Sequence, residues 1–191
     1  MDIIKKLAQE LTIKEEQAKA AVQLIDEGNT IPFIARYRKE MTGALNDETL
    51  RNLHERLLYL RNLEEKKEQV INAITEQGKM TDDLKKKILA AETLVAVDDL
   101  YRPYRPKKQT RATKAKEKGL EPLANILLLQ TTSKSMDEEA QSFVDEVKGV
   151  ANVKEALAGA KDIIAEMIAD KADYRKSIRN CTMKQGRLVV K

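Results

Sequence analysis

The 191-residue chain carries 35 Lys/Arg against 31 Asp/Glu, with 42% apolar residues, 4% aromatics and no tryptophan. One cysteine, Cys181, and one histidine, His54, exclude a disulfide framework and argue against a zinc site, so neither metal nor cofactor is expected. No apolar run approaches the roughly 20 residues that span a membrane, and the acid-containing start MDIIKKLAQEL is unlike a signal peptide. The expectation is a cytoplasmic, helix-rich protein with no membrane partner.

In chain order, Ile3, Ile4, Leu7 and Leu11 recur at helical spacing and predict a first short helix. Thr12 and Glu15 have capping-box spacing and predict a second, which stops at Gly28. In TIPFIARYRKEMTG, Pro32 suits a first helical turn and Gly43 a helix end. Asn46 then opens a segment without Pro or Gly, running from Asp47 to Gln77. Its Leu50, Leu53, Leu57 and Leu60 form a coiled-coil-like seam, which slips after Leu63 and resumes at Val70, Ile71 and Ile74. One helix of that length would reach about 45 Å and needs shorter helices packed along it.

Thr81 predicts the cap of another helix, and Thr93 precedes LVAVDDLY. Pro103 and Pro106 push Arg102 and Arg105 toward extended backbone, whereas 110–118 is compatible with a helix that Gly119 ends. Helices are expected at 121–130 and 136–147, and then along an apolar stripe from Ala156 to Ile168. In that stripe Ala158, Gly159 and Ala160 should permit close helix approach. Only the terminal RLVVK looks strand-like. It lacks a partner strand, so it should be poorly ordered or paired with a neighbour, as if the chain were cut from something longer. The fold class is therefore all-α, with many helices around one long central helix and a helix-turn-helix-like N-terminal region. The expected division is a region 1–120 followed by a helical continuation 121–191.

Catalytic signals are absent. Neither G-x-G-x-x-G nor G-x-x-x-x-G-K-[ST] occurs. His54 reads as a packed or solvated helix residue and Cys181 as a buried, inert thiol. Asp98 and Asp99 read as caps or as partners of nearby arginines. No enzyme activity and no small-molecule substrate are expected.

The basic residues are the stronger signal. Eight Lys/Arg and a single Glu lie between Arg102 and Lys118, so the rest of the chain is slightly acidic. A cationic stripe on a near-neutral body is the electrostatic footprint of a polyanion binder. The segment should divide along its length. Asp98 to Pro106 forms a structural buckle, with Tyr101 and Tyr104 packed on helices although their rings could also stack bases. Lys107 to Lys118 forms an exposed face in which Lys107, Lys108, Arg111 and Lys114 meet phosphates. Thr110 and Thr113 could add hydroxyl donors. Arg102 and Arg105 border the face, and Arg36, Arg38 and Lys39 form a second, weaker cluster.

The segments TIPFIARYRKEMTGAL, ETLVAVDDLYRPYRPKKQTRATKAKEKGLEPLA and VKEALAGAKDIIAE, in that order, resemble the N-terminal region of the Tex family of bacterial transcription accessory proteins. The resemblance implies a cytoplasmic protein that binds RNA or DNA in transcription. It also implies an all-helical N-terminal region with a helix-turn-helix-like part. In the family an RNase-H-like domain, helix-hairpin-helix elements and an OB-fold RNA-binding domain follow, and the resemblance implies that they would lie beyond these 191 residues. The alternative is a helical scaffold that braces such downstream domains or docks on the transcription machinery without touching nucleic acid.

Overall fold

Side-chain caps and left-handed turns set the helix boundaries in the computed structural model, which describes residues 2–106, 108–130 and 132–190. Among those residues there are twelve α-helices and no β-strand, so the protein is all-α. The helices are α1 (Ile3–Leu11), α2 (Glu15–Asp26), α3 (Ile31–Tyr37), α4 (Lys39–Thr42), α5 (Asp47–Glu76) and α6 (Asp82–Ala90). After them come α7 (Leu94–Tyr101), α8 (Arg111–Glu117), α9 (Glu121–Leu129), α10 (Met136–Gln141), α11 (Val153–Ala169) and α12 (Ala172–Gln185). They form two compact units, Met1–Val97 and Asp98–Lys191.

In the first unit, α5 is 30 residues long and opens on Asn46, whose side-chain oxygen accepts the Thr49 N–H at 2.7 Å. Leu50, Leu53, Leu57, Leu60 and Leu63 are all buried, and α1, α2 and α3 pack against α5 with Leu7, Ala18, Leu24 and Ile34. Two bidentate ion pairs tie the neighbours down. Arg56 grips Glu10 of α1 at 2.5 and 2.8 Å, and Arg61 grips Asp26 of α2 at 2.7 Å through both nitrogens. Hydrogen bonds from Arg56 hold the Glu10 carboxyl below the usual carboxylate range, outweighing the effect of its burial.

Where the apolar seam slips, Lys67 takes the inward position and is buried. Its ammonium donates to Glu64 Oε1 and to the Leu89 carbonyl, both at 2.9 Å. That carbonyl lies in the last turn of α6, so Lys67 donates to one of the carbonyls that a helix end leaves without an intrahelical partner. Beyond it, Val70 and Ile74 are buried, and α6 packs on α5 with Leu84 and Ile88.

The start of α2 differs from the expected Thr12–Glu15 box. Thr12 instead ends α1 in a left-handed conformation at φ 55°, and α2 begins at Glu15. There the Gln17 side-chain carbonyl accepts the Lys14 N–H at 3.1 Å, while its amide donates to the Thr42 and Gly43 carbonyls at 3.2 and 3.0 Å. Gln17 thus fastens α2 to the end of α4. Gly43 suits this turn on two counts, since its φ is +61° and a Cβ there would lie 2.6 Å from the Gln17 amide nitrogen and displace that side chain.

In the second unit, α8, α9 and α10 pack on α11 through small residues. Ala112 and Ala115 of α8 and Ala156, Ala160 and Ile163 of α11 are buried with Leu120, Leu123 and Val150. Gly159 makes the approach possible, because a Cβ there would meet Leu120 Cδ1 at 2.4 Å and Ala115 Cβ at 3.2 Å. The helix expected over 136–147 stops at Gln141. Asp145 Oδ1 accepts the Val147 and Lys148 N–H groups, and its backbone forms an isolated bridge to Val150, with Gly149 at φ +74°. This local turn chemistry wins over helix propensity. RLVVK forms no strand in the described residues 187–190, where Leu188, Val189 and Val190 are exposed and no ladder partner exists.

Replacing Leu57 by Ala should cost about 2–5 kcal/mol in chemical denaturation, the range for emptying a buried leucine site. Lys67→Ala should also destabilise, by about 1–3 kcal/mol, because it removes a buried side chain whose ammonium bonds Glu64 and the end of α6. A denaturation midpoint unchanged by Lys67→Ala would place its ammonium in solvent.

Candidate nucleic-acid interface

The sequence RATKAKE folds α8 so that its alanines point inward and its cations outward. Thr110 opens the helix by accepting the Thr113 N–H at 3.0 Å, and its hydroxyl donates to Glu166 of α11 at 3.2 Å. Ala112 and Ala115, three residues apart, fill the α11 contact. Arg111 and Lys114 are left on the outer surface, also three apart. The Arg111 side chain is 88% exposed and reaches Asp162 only at 3.8 Å. Lys108 and Lys114 are exposed and make no ion pair among the described residues. Lys107 lies outside the described residues. Lys116 pairs with Glu121 at 3.1 Å, and Lys118 donates to the Gly149 carbonyl at 2.7 Å.

The proline-rich half of the segment is occupied differently. Arg102 opens a 3-10 turn over Arg102–Tyr104 and donates from Nε to Asp170 at the end of α11, 2.8 Å away. Arg105 pairs with Asp98 at 2.9 Å and lies over the Tyr101 ring at 5.5 Å. Tyr101 and Tyr104 are half-buried. Asp99 takes no arginine from the basic segment. Its buried carboxylate is held by Arg175 and Arg179 of α12, the former at 2.7 Å. Burial alone would raise the Asp99 pKa. The hydrogen bonds from Arg175 and then Arg179, with their charges, outweigh it and hold the group below its ordinary 3.8.

Two local expectations therefore change. The Thr110 and Thr113 hydroxyls are half-buried and bonded to each other at 2.9 Å, so capping and Glu166 already occupy them. Cys181 is exposed on α12, a helix that buries no residue, rather than sequestered in a core. Arg175 and Arg179 were invisible to local reading except as an i,i+4 arginine pair on one helix face.

The second cluster lies in the first unit. Arg36 and Lys39 are exposed, Arg38 is half-exposed, and none of the three makes an ion pair among the described residues. Arg38 lies over the Phe33 ring at 5.3 Å, an aromatic neighbour that sequence reading passed over. The described residues contain no group of three or more His, Cys, Asp or Glu placed to hold a metal ion. No helix is long and apolar enough to cross a membrane among the residues described.

Residues 1–75 match the Tex-like protein N-terminal domain, and residues 131–191 match the Tex central region. The chain belongs to the Tex family. It is 49% identical over 183 residues to Protein YhgF of Escherichia coli, covering 96% of this chain and 24% of that protein. It is 46% identical over 180 residues to the transcriptional accessory protein Tex of Neisseria gonorrhoeae, covering 94% and 23%. It is also 32% identical over 186 residues to the human S1 RNA-binding domain-containing protein 1, covering 96% and 18%. The chain thus spans about a quarter or less of the length of the curated relatives it matches, over their N-terminal part.

The role of Asp99 has a measurable consequence. With no buried residue of its own, α12 relies on the Asp99 carboxylate and its contact with α11. Asp99→Ala should therefore raise amide exchange across residues 172–185 while α8 and α11 stay protected. A carboxylate whose folded pKa is depressed stabilises the fold fully above its unfolded value. That stabilisation is lost as pH falls through the folded value. Protection of α12 should accordingly persist at neutral pH and decline only below about pH 3.8. Uniform loss of protection over the whole second unit would contradict a role confined to α12.

Proposed function

We propose that this Tex-family region contributes sequence-independent contacts to RNA or DNA in a transcription accessory protein, by binding rather than catalysis. The observation that carries the reading is the outer face of α8. Arg111 and Lys114 on that helix, with Lys108 before it, are exposed cations whose one ion pair among the described residues is the 3.8 Å approach of Arg111 to Asp162, mounted on a helix whose inner face is fixed by Ala112 and Ala115. Phosphate oxygens are the chemistry that such a face accepts, with no need for a pocket. Lys107 extends the face in sequence. Arg36, Arg38 and Lys39 supply further unpaired cations, and Arg102 and Arg105 contribute whatever charge remains after pairing with Asp170 and Asp98. The relatives' names, a transcriptional accessory protein and an S1 RNA-binding domain-containing protein, agree with this ligand class.

A second reading has its own observation. On α12, Tyr174, Ile178 and Met183 are exposed, as a bracing or docking helix would present them to a protein such as the transcription machinery.

The two readings separate in a binding titration. If Lys108, Arg111 and Lys114 each neutralise one phosphate of duplex DNA, log K should fall against log salt with a slope of about −2.7, from about −0.9 per contact. The dissociation constant should lie on the order of 10⁻⁴–10⁻⁶ M. Changing all three to Glu should remove most of the duplex affinity and leave helicity and melting nearly intact. Undiminished binding by that variant would end this reading of α8, whereas no duplex binding by the unaltered chain would favour the scaffold.

A further inference from the structure

The outer face of α3 and α4 carries residues that a merely solvated surface would not favour. Its inner side is conventional, since Ile34 and Thr42 are fully buried and Gln17 fixes the end of α4. On the outside, Phe33, Tyr37 and Met41 follow one another at four-residue spacing and remain 36%, 57% and 49% exposed. Only seven aromatic residues occur in the chain, and two of them are spent here, in contact with solvent. Their rings lie 5.3 Å apart at a 45° tilt, and the Arg38 guanidinium covers one side of Phe33 at 5.3 Å. Arg36 and Lys39 extend from the same short stretch without an acidic partner among the described residues.

Flat π-faces interleaved with unneutralised cations match one ligand chemistry. Unpaired nucleobases stack on rings and on guanidinium planes, while the phosphates joining them seek the cations. A duplex hides its base faces and offers this surface only phosphates. An apolar protein segment would use the rings and leave three cations desolvated without a counter-charge. We propose that Phe33 and Tyr37, with Arg36, Arg38 and Lys39, form a stacking platform for single-stranded RNA or DNA. The proposal rests on the nucleic-acid reading above but uses a different unit of the chain, so the two can fail separately.

The absence of tryptophan supplies a local probe. Tyr37→Trp places one indole on the platform, and a base stacked on it should quench its emission. The titrants are a uniform single-stranded 12-mer of uridine, its thymidine counterpart, an abasic 12-mer and a mixed-sequence duplex. Both single strands should quench the indole, and the abasic strand and the duplex should not. In the tryptophan-free background, Phe33→Ala with Tyr37→Ala should weaken single-strand binding roughly 5- to 140-fold, as loss of stacking to one base requires. Duplex affinity should stay unchanged, and circular dichroism should verify the fold of each variant. Indole emission unmoved by saturating single strand, with the double Ala variant binding as wild type does, would overturn the platform and reassign the face to a protein. Duplex binding lost in the Lys108/Arg111/Lys114 variant alongside unmoved indole emission would sink the platform alone. Quenching by single strand with no duplex binding at all would sink the α8 reading and leave the platform standing.

Discussion

A helix as long as α5 cannot bury its own apolar stripe, and that constraint organises the first unit. Eight seam positions from Leu50 to Ile74 are buried, and short helices are the means of covering them. Packing α1, α2 and α3 against one side leaves each with an outer face that must be polar or otherwise used. Bidentate arginines from α5 then fix the positions of α1 and α2 at their flanks. The unpaired cations and rings of α3 are exposed because Ile34 has already turned the opposite side of that helix toward the core.

The second unit solves the same problem with different materials. Its helices are short and alanine-rich, so they gain stability from close approach rather than from large side chains, and Gly159 sets how close α11 can come. Ion pairs supply what small residues cannot. Asp99 and Asp170 each gather arginine from a distant part of the chain, at separations of 68 to 80 residues. This sorts a segment that looks uniformly basic in sequence. Cations beside the prolines serve the fold, whereas those on α8 remain exposed. Net charge alone could not separate the two groups.

Much of the architecture was legible because its signals are local. Asn46, Thr81 and Thr110 cap helices through bonds to N–H groups three residues ahead, and Gly28, Gly43, Gly78 and Gly119 adopt the left-handed turns that such stops require. The misses have the opposite character. Nothing near Lys67 announces that its partner is a carbonyl 22 residues away, so a lysine in an apolar seam reads as a defect. The Asp99 latch joins residues that periodicity cannot relate, and the exposure of Cys181 follows from α12 lacking a packed face. Phe33 and Tyr37 escaped notice because aromatic residues at helical spacing ordinarily mean core. Only the placement of Ile34 reveals that they face outward.

The burial of Lys67 also gives the protein an internal clock for its own opening. Amine-directed reagents attack exposed lysines at rates set by solvent contact, and the exposed lysines among the described residues should be consumed quickly. An ammonium with a 3% exposed side chain, engaged by a carboxylate and a helix-end carbonyl, becomes reactive only when α5 and α6 separate. Its labelling rate therefore counts openings of the first unit, one lysine recording events that the exposed lysines among the described residues cannot register.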